Sequence, residues 1–248
     1  MHPPERPGSD FHPAPQHPGS AIRTFHPRRA PLGVHRADAL ERLWPTFGIS
    51  VHDPELGLPP LTDNGHLDTL ALFGRHAPVV VEIGSGMGDA TAAMAAADPD
   101  RDYLAVEVHQ PGIAHLLTLI EDRALTNLRL AHGDALDLLR VIAPDSVDAV
   151  HVFFPDPWPK ARHHKRRIIA PDHVALIASR LRPGGALHCA TDWEPYAEQM
   201  VEVIDAEPLL RNPHAGYAPR MAARPVTRFE QRGVDAGRVI RDVVGVRV

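Results

Sequence analysis

Five short apolar runs, spaced by helical stretches, constrain this chain more than any other feature. They are "VVVEIG" (Val79–Gly84), "YLAVEV" (Tyr103–Val108), "LRLAHGDA" (Leu128–Ala135), "VDAVHVFF" (Val147–Phe154) and "ALHCATDW" (Ala186–Trp193). Runs this short and rich in Val, Leu and Ala suit strands covered on both faces, as parallel strands are. Between them lie "DATAAMAAA", "QPGIAHLLTLIEDRAL", "LDLLRVI", "IIAPDHVALIASRL" and the stretch 194–206, each with helical character; "RPGG" stops the fourth. The alternation predicts an α/β fold with a doubly wound, mostly parallel sheet. The C-terminal "RVIRDVVGVRV" adds a further strand.

The rest of the chain is less regular. Residues 1–31 hold 8 of the 26 prolines and predict a disordered Pro/His-rich tail. Arg28 and Arg29 near its end make either a solvated linker or a basic arm that touches nucleic acid. Leu40, Leu43, Trp44 and Phe47 fall at helical spacing over 37–47. Residues 48–65 read as loop, and 66–73 as a short helix. Cys189 is the single cysteine, which excludes an internal disulfide and disfavours a Cys-based zinc site. No metal site is expected: His163 and His164 lack a carboxylate spaced to complete one. No apolar run reaches the ~20 residues of a membrane span, and no apolar leader opens the chain, so a cytoplasmic protein is expected.

In sheets of this kind ligands bind at the carboxyl ends of the strands. Acids stand at all five ends: Glu82, Glu107, Asp134, Asp156 and Asp192. After Glu82 come Gly84, Gly86 and Gly88, which let the backbone turn tightly beside a ligand. Glu107 ends the next strand, where an acid accepts hydrogen bonds from ribose hydroxyls. The pair points to an adenosine-type cofactor. NAD is disfavoured, because its fingerprint places the third glycine one residue later and a carboxylate at Glu82 would repel a pyrophosphate. The ammonium of S-adenosyl-L-methionine suits Glu82 better. Asp134 can accept from the adenine amino group, cap the following helix, or do both.

The fourth strand runs into "PDPWPKARHHKRR" (Pro155–Arg167). Three prolines fix φ and remove donors, so the turn is stiff and holds Asp156 and Trp158 in place. Trp158 can stack on a base or wall a pocket. Lys160, Arg162, Lys165, Arg166 and Arg167 can engage phosphates.

This block resembles the signature of the bacterial tRNA (guanine-N7)-methyltransferases, the TrmB family. The likeness continues through "EIGSGMG", "GDA", "LRPGGALHCATDW" and "VTRFEQRG" (Val226–Gly233). It covers the chain from Val79 to the end, and more weakly residues 28–48. Ser85 departs from it, since the family usually shows a bulkier, often aromatic residue there. The resemblance implies a seven-stranded, Rossmann-like class I methyltransferase at 32–248, with a helical extension at 32–75 and a catalytic core at 76–248. It implies methyl transfer from S-adenosyl-L-methionine to N7 of guanine 46 in the tRNA variable loop, with no obligatory protein subunit. Glu82, Gly84, Gly86, Glu107, Asp134, Ala135 and Asp156 would line the cofactor pocket, with Asp156 catalytic. Lys160, Asp192, Thr227, Arg228, Phe229 and Glu230 would bind substrate. Trp158, Arg162, His163, Lys165, Arg166, Arg167, Arg28 and Arg29 would contact tRNA. From spacing alone, residues 227–230 read equally as a polar turn before the last strand.

Three rival readings stand beside this one. An enzyme methylating an exocyclic amine would carry acid-Pro-Pro-aromatic, whereas here the second proline is displaced and a basic block follows. A nicotinamide oxidoreductase conflicts with the glycine spacing. A tRNA-binding module without catalysis has no use for four strand-end acids.

Overall fold

Each of the five predicted strands forms. The computed structural model describes residues 24, 25 and 32–248; the predicted tail, with Arg28 and Arg29, otherwise lies outside the described residues. In chain order the elements are α1 (Val34–Phe47), β1 (Gly48–Ser50), α2 (Thr69–Phe73), β2 (Val79–Ile83), α3 (Asp89–Ala97), β3 (Asp102–Glu107), α4 (Gln110–Asp122) and β4 (Leu128–His132). Then follow α5 (Ala135–Val141), β5 (Val147–Phe153), α6 (Pro171–Arg180), β6 (Leu181–Thr191), α7 (Glu194–Ala206), β7 (Leu210–Arg211), α8 (Arg228–Asp235) and β8 (Arg241–Arg247).

The sheet runs β1-β4-β3-β2-β5-β6-β8-β7. Pairing is parallel from β1 to β6, and β8 joins antiparallel to both β6 and β7. The order reverses between β2 and β5, which makes their carboxyl ends the expected binding crevice. Both faces are covered. Leu40 and Trp44 of α1, Met94 of α3 and Leu116 and Leu117 of α4 fill one core. Leu138 of α5, Ile177 of α6 and Tyr196 and Met200 of α7 fill the other. All five residues of β2 are buried, as a central parallel strand demands.

The sheet has eight strands rather than seven. The extra one is β1, in a stretch read as loop; its three residues pair with β4 beside Leu130 and Ala131. β6 begins five residues before the predicted strand and takes in "RPGG", whose pairing with β5 shifts register between Val147 and Ala149. α6 starts at Pro171, not Ile168, because proline suits the first helical turn while Ile168 and Ile169 are held in the core. The residues 227–230 open a helix, α8, and are not a simple turn. Among the described residues no helix is long and apolar enough to cross a membrane.

Candidate active site

At the end of β2 the chain turns through Gly84 (φ 76°), Gly86 (φ 59°) and Gly88 (φ 80°), a backbone region that disfavours other residues. A Cβ at Gly84 or Gly86 would meet nothing within 4 Å, so this turn faces open space. Glu82 is 3% exposed, and its Oε2 has no hydrogen-bond partner. Burial pushes its carboxyl up to about 7; the Thr91 hydroxyl and the Arg224 guanidinium oppose this, and the charge of Glu107 adds to it. Ser85 leaves its hydroxyl buried and unpartnered beside the turn.

Glu107 shapes the same turn. Its Oε2 accepts from the Gly86 N–H at 2.7 Å, and its Oε1 accepts from the N–H groups of Val108 and His109 at 2.7 and 2.8 Å. Burial raises its pKa, these three bonds pull it down, and the charge of Asp156 pushes it up again. Three accepted bonds leave a carboxylate with further lone-pair capacity. Gly112, in the first turn of α4, abuts the loop: a Cβ there would come within 2.0 Å of the Gly86 carbonyl oxygen. Asp134 caps α5, accepting from the Leu136 N–H at 2.8 Å, and burial raises its pKa. Ala135 is the first residue of that helix.

Asp156 is half-buried in the turn after β5. Two non-glycine residues around it hold positive φ, Phe154 at 52° and Trp158 at 45°. Strain of this kind costs about 1–3 kcal/mol per residue and persists only where surroundings enforce it. The surroundings do so here. The Phe154 N–H donates to the Ala190 carbonyl at 2.7 Å, and its ring packs 5.4 Å from that of Phe229. Trp158 is 5% exposed, with the Arg166 guanidinium 4.9 Å from its ring and His163 edge-on at 5.9 Å. Of the two readings of Trp158, burial corrects the open stacking face and leaves that of a wall beneath the basic turn.

Arg167 is corrected too. It is 2% exposed, donates from Nε to the Pro157 carbonyl at 2.9 Å and from Nη1 to Gln199, and lies 4.6 Å from the Tyr196 ring. It staples the proline turn to α7 and offers nothing to a surface polyanion. Lys160, Arg162 and Lys165 are exposed, while His163 and Arg166 are half-buried.

The C-terminal segment closes the site from the β6 side. Thr227 caps α8, accepting from the Glu230 N–H at 3.2 Å. Arg228 and Phe229 are exposed, whereas Glu230 is buried and bound by Arg220 at 2.8 and 3.0 Å. Arg224, which spacing did not single out, lies beneath. It is 1% exposed, grips Asp242 at 2.8 and 2.9 Å, reaches Glu230 at 3.4 Å, and covers the rings of Phe153 and Phe154. Burial pushes the Asp242 carboxyl up, but His188 and Arg224 more than offset it and hold it below the usual range. Asp192 pairs with Arg238 at 2.8 Å, with Gly233 of α8 against it. Among the described residues no group of three or more His, Cys, Asp or Glu could hold a metal ion.

The residues fit a cationic, ribose-bearing ligand: a buried carboxylate with one oxygen unpartnered, an open glycine turn, and a second carboxylate with capacity left. Comparison with known proteins agrees with this architecture. A family profile described as "Putative methyltransferase" matches residues 76–243. The tRNA (guanine-N(7)-)-methyltransferase of Streptomyces avermitilis is 52% identical over 99% of this chain and 81% of its own length. Those of Streptomyces coelicolor and Aromatoleum aromaticum are each 50% identical, over 99% and 90% of this chain and 87% and 83% of theirs. Among solved structures, the 16S rRNA methyltransferase KamB superposes with a TM-score of 0.53 at 17% identity, covering 76% of this chain and 94% of that one. The aminoglycoside resistance methyltransferase NpmB1 gives 0.51 at 15%, covering 77% and 96%. At that identity they share the fold alone, that of the class I methyltransferases. Half-identical relatives over nearly the whole length settle the membership: the chain belongs to the tRNA (guanine-N(7)-)-methyltransferase family.

Proposed function

We propose that this protein methylates N7 of guanine 46 in the variable loop of tRNA, using S-adenosyl-L-methionine. The observation that carries the reading is the buried carboxylate of Glu82, with its Oε2 unpartnered, beside the open glycine turn, at the switch point that also holds Asp156. S-adenosyl-L-methionine, when bound, supplies an activated methyl group on a positively charged sulfur. Glu82 would take its ammonium group, Glu107 its ribose hydroxyls, and Asp134 with Ala135 the adenine end. Lys160, Asp192 and the segment 227–230 would hold the substrate, with Glu230 and Thr227 acting by shaping α8. Arg28 and Arg29 would add contacts from the N-terminal arm. The core at 76–248 would act with its helical extension at 32–75, in the cytoplasm and without a partner subunit.

N7 of guanine carries a free lone pair at neutral pH, so no base must deprotonate it. The chain's task is then positioning and charge. Asp156, fixed between two prolines, orients the guanine and favours the positive charge that develops on its ring.

The test is methyl transfer from labelled S-adenosyl-L-methionine to two tRNA transcripts that differ only in guanine or adenine at position 46, followed by cleavage at N7-methylguanosine. Label on the guanine transcript alone, with cleavage there, is the expected result. Label on both moves the target base, and no label with the cofactor bound points to a binding module or another acceptor.

A further inference from the structure

An RNA base presented for chemistry leaves its stack, and proteins receive such bases on aromatic faces. Trp158 sits too deep for that role. Of the three tryptophans, Trp44 is 6% and Trp158 5% exposed, whereas Trp193 is 36% exposed. Trp193 directly follows Asp192, just past the end of β6. β6 neighbours β5, whose end carries Asp156, and the Phe154–Ala190 bond of 2.7 Å keeps the two chains side by side as they leave the sheet.

The surroundings suit an RNA base. Val226, Phe229 and Val234, on or beside α8, are exposed large apolar residues, and α8 is seated on Asp192 through Gly233. The charges flanking Trp193 are paired: Asp192 with Arg238 at 2.8 Å, and Glu194 with Arg241 at 3.0 Å. Both acids are thus neutralised, which lowers the repulsion a polyanion would meet. Lys160, Arg162 and Lys165 stand exposed after the adjacent strand β5 to meet phosphates. Among the described residues, the hydrogen bonds of Trp193 are made by its backbone. Its carbonyl accepts from the N–H groups of Tyr196 and Ala197 at 2.9 and 3.0 Å, and its own N–H donates to the Thr191 hydroxyl at 3.2 Å.

We propose that the indole of Trp193 is the face on which a nucleobase of the RNA substrate stacks. This rests on the RNA-methylating reading above. One base–aromatic stack is worth about 1–3 kcal/mol by alanine substitution, which converts to roughly 5- to 150-fold.

Two measurements on the full chain test it. First, wild type, Trp193→Phe, Trp193→Leu and Trp193→Ala are compared for methyl transfer to a tRNA transcript. Trp193→Ala should raise KM for tRNA, and with it lower kcat/KM, by that factor, at unchanged affinity for S-adenosyl-L-methionine. Trp193→Phe should recover most of the loss and Trp193→Leu little, which separates stacking from simple apolar burial. Second, tryptophan emission is quenched with iodide with and without saturating tRNA. The accessible emission comes from Trp193, and tRNA should protect it; Trp193→Phe should abolish the change. Wild-type KM and kcat in Trp193→Ala, or unprotected emission at saturating tRNA, would overturn the inference and leave the methylation reading standing. A wild-type enzyme that makes no N7-methylguanosine overturns both.

Discussion

Glu82 and Asp156 are two carboxylates at the same crevice in unlike surroundings, the first buried and the second half-buried. Glu82 is buried with an oxygen that accepts from nothing, and its pKa stands near 7. A carboxyl raised by folding favours the protonated form. Its stabilising contribution is therefore full below the ordinary carboxylate range and is lost as pH rises through about 7. Unfolding of the ligand-free protein in urea, at about pH 5 and about pH 8, should show wild type losing stability relative to Glu82→Gln, by roughly 3 kcal/mol at the limit. Equal pH dependence in the two proteins would mean that Glu82 ionises freely. Ligand binding should run the other way. A cation held by Glu82 requires the ionised form, so affinity for S-adenosyl-L-methionine should rise between those pH values and release a proton, and calorimetry in two buffers reads both. Asp156 is half-buried and prepared for a different task. Asp156→Asn keeps the shape and removes the charge. We expect kcat to fall about 10²- to 10³-fold with both tRNA and cofactor saturating. Near wild-type kcat would remove Asp156 from the chemistry.

At the scale of elements, the glycine turn is held from two sides. The Glu107 carboxylate bonds the Gly86 N–H, and the first turn of α4 presses Gly112 against the Gly86 carbonyl. Gly112→Ala must displace backbone, because the clashing atom is a carbonyl and not a flexible side chain. Cofactor affinity should fall about 5- to 150-fold while the fold survives, since a one-methyl clash in a core costs about 1–3 kcal/mol. Unaltered affinity would show that the turn does not hold the cofactor. This contact was invisible in the sequence, where Gly112 reads as an ordinary residue at the start of a helix; only the packing of α4 on the loop reveals it. The five strands were legible because their apolar runs are short, unbroken and spaced by helical patterns. The first turn of α8 was legible in principle, for Thr227 and Glu230 stand three apart with the threonine hydroxyl taking the Glu230 N–H. It was masked by the polarity of the helix, whose residues other than Glu230 and Gly233 are not buried. β1 could not be read, being three residues that pair only because β4 lies beside them. Arg167 misled because its sequence context is a solvated cationic run, while the Pro157 carbonyl, Gln199 and the Tyr196 ring take it inward. Arg224 gave no signal at all, for a buried guanidinium is defined by Asp242 and Glu230, its partners from β8 and α8.

At the scale of the whole molecule, a chain of net charge −5 is proposed to bind a polyanion. Net charge does not decide docking; the local field does. The sheet sets that field by placing the turn after β5 at the rim of the crevice, with Lys160, Arg162 and Lys165 exposed and Arg167 withdrawn. Each cation that neutralises a phosphate releases counterions, so the logarithm of the binding constant falls linearly with the logarithm of salt concentration, by about 0.7–0.9 per contact. Replacing Lys160, Arg162 and Lys165 together by alanine should flatten that slope by about 2–3, with affinity for S-adenosyl-L-methionine unchanged. Arg167→Ala makes the opposite separation. Its guanidinium ties the Asp156 turn to α7, so its loss should lower thermal stability and kcat and leave the salt slope where it was. Filter binding of a tRNA transcript across salt concentrations, beside thermal unfolding, reads both variants. A slope that survives the triple replacement would place the RNA on another face. A slope that falls with Arg167→Ala alone, at unchanged stability, would mean that this arginine swings out to the phosphates when RNA arrives.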